Sequence, residues 1–122
     1  METPGHRFAT ALAAKDAAAL RDVLDQDIDF RALTPGREWA AASPDEVLEV
    51  LFGHWFEDDD RIDRLVDVAE GAPVEDTGHV AYRLAVTNPA GAWTVEQQAY
   101  YRSEDDRIGY LRVLCSGYRP VR

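Results

Sequence analysis

Residues 79–101, HVAYRLAVTNPAGAWTVEQQAYY, decide the fold. Val80, Tyr82, Leu84 and Val86, then Trp93, Val95, Ala99 and Tyr101, recur at every second position, the period of a β-strand rather than of a helix. Asn88-Pro89-Ala90-Gly91 between the two runs is a turn signal. With that turn centred between Pro89 and Ala90, Leu84 faces Val95, Val80 faces Ala99 and Arg83 faces Glu96. Apolar meets apolar and base meets acid, and a slip of one residue destroys both matches.

The same period extends outward into Ile62–Ala69 on one side and Arg107–Cys115 on the other, divided off by Gly71/Pro73 and by Ser103-Glu104-Asp105-Asp106. Centring the last turn in the same way sets Tyr101 opposite Ile108, Gln98 opposite Leu111, Val95 opposite Leu114 and Thr94 opposite Cys115. One face then carries Val80, Tyr82, Leu84, Val86, Trp93, Val95, Ala99, Tyr101, Ile108, Tyr110 and Leu114, interrupted by Gln97 and Arg112. The other carries His79, Arg83, Glu96, Gln98, Tyr100, Leu111, Val113 and Cys115. This second face is polar along one side and apolar along the other, the profile of a cavity lining.

Upstream the pattern is helical. Phe8, Leu12, Leu20, Val23 and Leu24 fall on one stripe broken by Lys15 and Asp16, which predicts two short helices with Asp16 capping the second through the amide of Ala18 or Ala19. Ile28–Leu33 alternates weakly before Thr34-Pro35-Gly36, so a short hairpin or irregular excursion is expected to end near Trp39. Ser43-Pro44-Asp45-Glu46 is a capping box with proline at the first helical position. The helix it opens places Val47, Val50, Leu51 and His54 on one face, and it is expected to stop at or before Glu57-Asp58-Asp59-Asp60, because negative charge is unfavourable at a helix C-terminus. That acidic run reads first as a solvated loop and second as a metal ligand set. Helices followed by strands predict a single α+β domain, residues 1–122, with an antiparallel or mixed sheet.

Composition narrows the function classes. The chain has 122 residues, 46% of them apolar, enough for one core. Its 23 acidic and 13 basic side chains give a net charge of −10, which disfavours nucleic acid and anionic membrane surfaces as partners. One cysteine forms no internal disulfide, and no Cys/His spacing suggests zinc. The N-terminal residues lack the basic-then-apolar layout of a secretory signal, so a cytoplasmic location is expected.

Two N-terminal helices, the Thr34-Pro35-Gly36 excursion, the helix opened by Ser43-Pro44, and a meander ending Val95-Glu96-Gln97-Gln98-Ala99-Tyr100-Tyr101 and Arg107-Ile108-Gly109-Tyr110-Leu111-Arg112 together resemble the NTF2-like superfamily of SnoaL-like, cystatin-like α+β cones. The resemblance covers nearly the whole chain. It implies a strongly bent sheet wrapped round the helices, an internal pocket for a small organic molecule, no cofactor, and a homodimer through the outer sheet face. Matching the last hairpin places Gln98, Tyr100, Leu111, Val113 and Cys115 inside and leaves the more apolar face outside. Two departures stand out: Val113 occupies a position where cyclase-like and epoxide hydrolase-like relatives often carry an acid, and Gln98 lies near a pocket acid of steroid isomerase-like relatives.

On that resemblance Arg83 would anchor a carboxylate or enolate oxygen and Glu96 or His54 would move a proton, while Gln98 and Tyr100 orient a substrate. The activity would be a cofactor-free isomerase, cyclase or dehydratase reaction; the alternative is a non-catalytic ligand-binding or dimeric interaction module. Plainer roles stay open for every residue. Arg83–Glu96 also reads as a ladder salt bridge, His54 as a core histidine, and Cys115 as a small buried hydrophobe. Trp39, Trp55 and Tyr100 would stack on a planar ligand or simply pack.

Overall fold

The Ser43 cap forms as its sequence requires: the Ser43 hydroxyl accepts from the Glu46 amide at 3.2 Å, and the Glu46 carboxylate accepts from the Ala42 amide at 2.9 Å. A computed structural model describes residues 2–121, so the two ends of the 1–122 span lie outside it. Its elements are α1 (Pro4–Ala13), α2 (Ala17–Val23), β1 (Leu24–Thr34), β2 (Arg37–Ala41), α3 (Pro44–Val50) continued by a π-helical turn Leu51–Trp55, β3 (Arg61–Val74), β4 (Thr77–Asn88), β5 (Gly91–Glu104), β6 (Arg107–Cys115) and β7 (Arg119–Pro120). Asp16 caps α2 by accepting from the Ala19 amide at 3.0 Å. The β1–β2 turn uses Gly36 at φ 77°, a conformation costly for a residue with a Cβ.

One curved, unclosed sheet runs β2-β1-β6-β5-β4-β3, with β7 added to β5. The β1–β6 pair is parallel and the other pairs are antiparallel. The β4–β5 register is the one the alternation predicts: Leu84 opposite Val95, Val80 opposite Ala99, Arg83 opposite Glu96. Strand β3 does not end at Ala69 as its alternation predicts but runs on through Gly71 and Pro73 to Val74. It is an edge strand, where proline deprives no neighbour of a ladder hydrogen bond.

The last hairpin departs from expectation, and the departure inverts a face. Asp105 and Asp106 turn the chain with φ of 53° and 64°, so Glu104 pairs with Arg107. Positive φ at both central residues is the type I′ geometry, usually signalled by Asn-Gly. The register then shifts between Arg102 and Ser103, giving Tyr101 opposite Leu111, Ala99 opposite Val113 and Gln97 opposite Cys115. One unpaired residue reverses the parity of everything beyond it. Leu111 and Val113 therefore share a face with Val80, Tyr82, Leu84, Val95, Ala99 and Tyr101, and all eight are buried.

This apolar face is the core, packed beneath the helices with Phe8, Leu12, Leu20, Val47, Leu51 and Phe56, and Phe8 meets the Tyr82 ring edge-on at 6.4 Å. The expectation that it forms the outer surface is thus corrected. The face expected inside is split by the shifted register: Leu111 and Val113 lie in the core, while Gln98, Tyr100, Arg83 and Glu96 lie on the outer face.

The acidic run is held rather than loose. Lys15, at φ 52° between α1 and α2, donates to the carbonyls of Glu57 at 2.8 Å and Asp60 at 2.6 Å. The Asp60 carboxylate in turn accepts from the Glu57 amide and from Asn88 Nδ2, each at 3.0 Å. Replacing Lys15 by methionine, which keeps the stem and removes the donors, should cost about 1–2 kcal/mol, read as a lower urea midpoint with unchanged slope. No helix among the described residues is long and apolar enough to cross a membrane.

Candidate functional site

Among the described residues one polar side chain is buried in the core between sheet and helices. Gln97 is 1% exposed, its Oε1 accepts from the Tyr82 hydroxyl at 2.6 Å, and its Nε2 lies 3.4 Å from Cys115 Sγ. The Gly117 amide reaches the same sulfur at 3.4 Å. One residue further, the Tyr118 hydroxyl donates to the carbonyl of Trp55 at 2.7 Å. A polar seam therefore runs from Tyr82 through Gln97 and Cys115 to the C-terminal segment, which ties back to the π-helical turn.

The seam is uncharged. Burial, reinforced by the nearby Cys115, holds the Tyr82 phenol well above its ordinary pKa. Burial likewise raises Tyr118, with smaller contributions from Asp60, Cys115 and Glu57. Both phenols stay protonated through the physiological range and act as neutral hydrogen bonders.

The tryptophans separate by what their N–H groups do. Trp39 donates to Thr34 Oγ1 and Trp93 to Asn88 Oδ1, each at 2.8 Å. Trp55 is buried, and its Nε1 has no acceptor among the described residues. Its ring lies 6.2 Å from both Phe30 and Trp39. An unpaired buried donor costs about 1–3 kcal/mol, and π-helical turns such as the one carrying Trp55 are frequent at functional sites.

The residues proposed from sequence divide between the two sides. Trp55, Leu111 and Val113 are buried inside, with Cys115 and Trp39 half-buried. Arg83 and Glu96 do meet, Nε to Oε1 at 3.1 Å, but on the outer face with side chains 49% and 40% exposed. Arg119 approaches the same carboxylate at 3.9 Å. Gln98 and Tyr100 are also outside: His79 stacks on the Tyr100 ring at 4.7 Å, and its Nε2 lies 2.7 Å from Gln98 Oε1. His54 is a surface residue 3.9 Å from the Glu49 carboxylate, its ring 5.0 Å from that of Trp39. It is neither a core histidine nor part of the interior seam.

Gln97 is the residue that sequence reading passed over, noted only as an intrusion on an apolar face. Its signal was available, since a lone amide among inward-facing apolar residues must find buried partners. The partners that reveal Trp55 and Tyr118 lie on other elements and left no local mark. Among the described residues no group of three His, Cys, Asp or Glu side chains converges to hold a metal ion.

No protein-family model matches the sequence, and no curated protein matches it. Solved structures do. A candidate isomerase from Rhodopseudomonas palustris superposes with a TM-score of 0.71 at 19% identity, covering 96% of this chain and 92% of that one. A candidate SnoaL-like polyketide cyclase from Mesorhizobium loti gives 0.66 at 15% identity, over 90% and 94% of the two chains. The chain has the NTF2-like fold. A protein of unknown function with a cystatin-like fold from Xanthomonas campestris superposes with a TM-score of 0.68 at 17% identity over 92% and 87% of the two chains. These likenesses concern the fold.

Proposed function

We propose that this NTF2-like chain is a ligand-binding module that holds a small, neutral, hydrogen-bonding organic molecule at the seam inside the cone. The observation that carries the reading is the buried, unpartnered Nε1–H of Trp55, a donor suited to a carbonyl oxygen. Gln97 and Cys115 supply further neutral contacts along the seam. The proton carriers expected from the sequence, Glu96, Arg83 and His54, lie on the other side of the sheet or on the surface. Isomerase, cyclase or dehydratase chemistry, which the neighbours' descriptions suggest, therefore ranks second.

Thermal-shift screening with neutral carbonyl compounds, cyclic ketones, lactones and amides, would find the ligand class. Trp55→Phe deletes an unsatisfied donor but leaves a void beside Phe30 and Trp39, so the stability of the free variant is measured separately by urea denaturation without ligand. The substitution should weaken the best binder about tenfold. Undiminished binding would remove Trp55 from the site. Glu96→Gln should leave binding unchanged, and loss of a measured turnover on that substitution would favour the enzyme.

Self-association fits the same reading. Gln98, Ala81 and Ala69 form one row across the outer face of β5, β4 and β3, with Tyr100 and His79 in the next row on one side and the compensated Arg83–Glu96 pair on the other. Two copies joined there would meet without net repulsion despite the overall charge. Sedimentation at micromolar concentration should give twice 13.6 kDa.

A further inference from the structure

We infer that the outer groove between β2, β1 and β6 is a separate binding site, for an organic carboxylate with an apolar body. The groove encloses about 460 Å³ and is lined by Arg31, Leu33, Glu38, Trp39, Arg112 and Leu114 with neighbouring small residues. That volume falls within the range of small-molecule sites.

Register arranges its chemistry in rows. Across the parallel β1–β6 pair Arg31 lies opposite Arg112, and two residues along Leu33 lies opposite Leu114. Each row continues onto β2, where Ala40 adjoins Arg31 and Glu38 adjoins Leu33. Two guanidinium groups thus head the groove and two leucines follow. The leucines, 47% and 48% exposed, are among the few large apolar side chains that the described surface presents to water.

The arginines are not equivalent. Arg112 is pre-oriented: its Nη1 donates to the Asp29 carbonyl at 2.9 Å, its Nη2 lies 3.2 Å from Asp29 Oδ2, and its guanidinium sits 4.0 Å from the Tyr110 ring. Arg31 makes no ion pair among the described residues. Asp29 offsets one of the two positive charges and leaves the other free, at the head of the groove, in a molecule whose net charge is −10. The acid that also lines the groove, Glu38, adjoins the leucine row and not the arginine row. An anion alone would satisfy the guanidinium groups but leave Leu33 and Leu114 wet; a carboxylate carrying an alkyl or aryl body satisfies both. Glu38 would then accept from a hydroxyl or ammonium group on that body.

The test uses octanoate as probe, with acetate, octanol and inorganic phosphate as controls, followed by amide chemical shifts on the full chain. Octanoate should move the amides of β1, β2 and β6 and bind more tightly than each control. Arg31→Gln, on an exposed side chain, should weaken it about tenfold with an unchanged urea midpoint. Leu114→Asn should weaken octanoate while leaving acetate as it was. Phosphate binding as well as octanoate would mean a simple anion patch, and octanol binding equally well would mean a greasy surface. Groove amides that shift as the protein alone is concentrated, with octanoate signals lost in step, would mean that a second copy covers it, and shifts confined to Trp55 and Gln97 would assign the probe to the interior. Each of these four outcomes overturns the inference, and only the last bears on the interior site.

Discussion

Replacing Gln97 by glutamate should destabilise the protein by about 3–5 kcal/mol at neutral pH, and most of that loss should vanish in acid. The site is 1% exposed, and among the described residues the hydrogen-bond partners of its side chain are a phenol and a thiol. Burial without a cation raises a carboxyl pKa by up to about 3–5 units, each unit worth about 1.4 kcal/mol. In the unfolded chain the introduced carboxyl loses its proton near its ordinary value of about 4.3, whereas the folded chain retains it to higher pH. Between those two values the native state binds more protons than the unfolded state, so stability falls as pH rises through that window. Below the ordinary value both states are protonated, and the variant approaches the parent. Urea midpoints at pH 4 and pH 7 would measure this. An equal, small penalty at both would show that water reaches residue 97.

Phe30→Ala should cost about 3–5 kcal/mol, the range for deleting a buried aromatic ring. Phe30 is 1% exposed, stands between Ala41 and Leu111 in the sheet, and lies 6.2 Å from the Trp55 ring. Ala41 has no side chain long enough to fill the space, so the void would persist next to Trp55. Equilibrium denaturation gives the loss. The same variant should gain thermal stability from small apolar aromatics such as benzene, because an apolar void stays dry and accepts them. A loss below about 1 kcal/mol would mean that this end of the core closes up by itself.

Much of the fold could be read before any coordinate. Ser43 and Asp16 announce their helices because capping is a local contract between a side chain and an amide three residues away. The β4–β5 ladder was legible because Arg83–Glu96 and Leu84–Val95 constrain it twice over. The β5–β6 ladder was not. Its turn is made by two aspartates at positive φ instead of by a glycine, and its register slips where Arg102 and Ser103 offer no compositional signal. That single slip moved the proposed catalytic pair from the interior to the surface. The hairpin likeness was laid over the same unshifted register, so it grouped Leu111 and Val113, which are buried, with Gln98 and Tyr100, which are exposed. The interior seam combines Tyr82, Gln97, Cys115, Trp55 and Tyr118 from four separate stretches, and no spacing rule spans such distances.

The parallel contact between β1 and β6 joins a strand from the first third of the chain to one near its end. On the ribosome, β1 and β2 emerge long before the partner they need, and through most of synthesis their inner edge stays open to any other extended peptide. Such delayed, long-range closure is slow relative to local pairing. The Asp25, Asp27 and Asp29 carboxylates along that waiting strand give it a charge that discourages premature stacking with a sister chain.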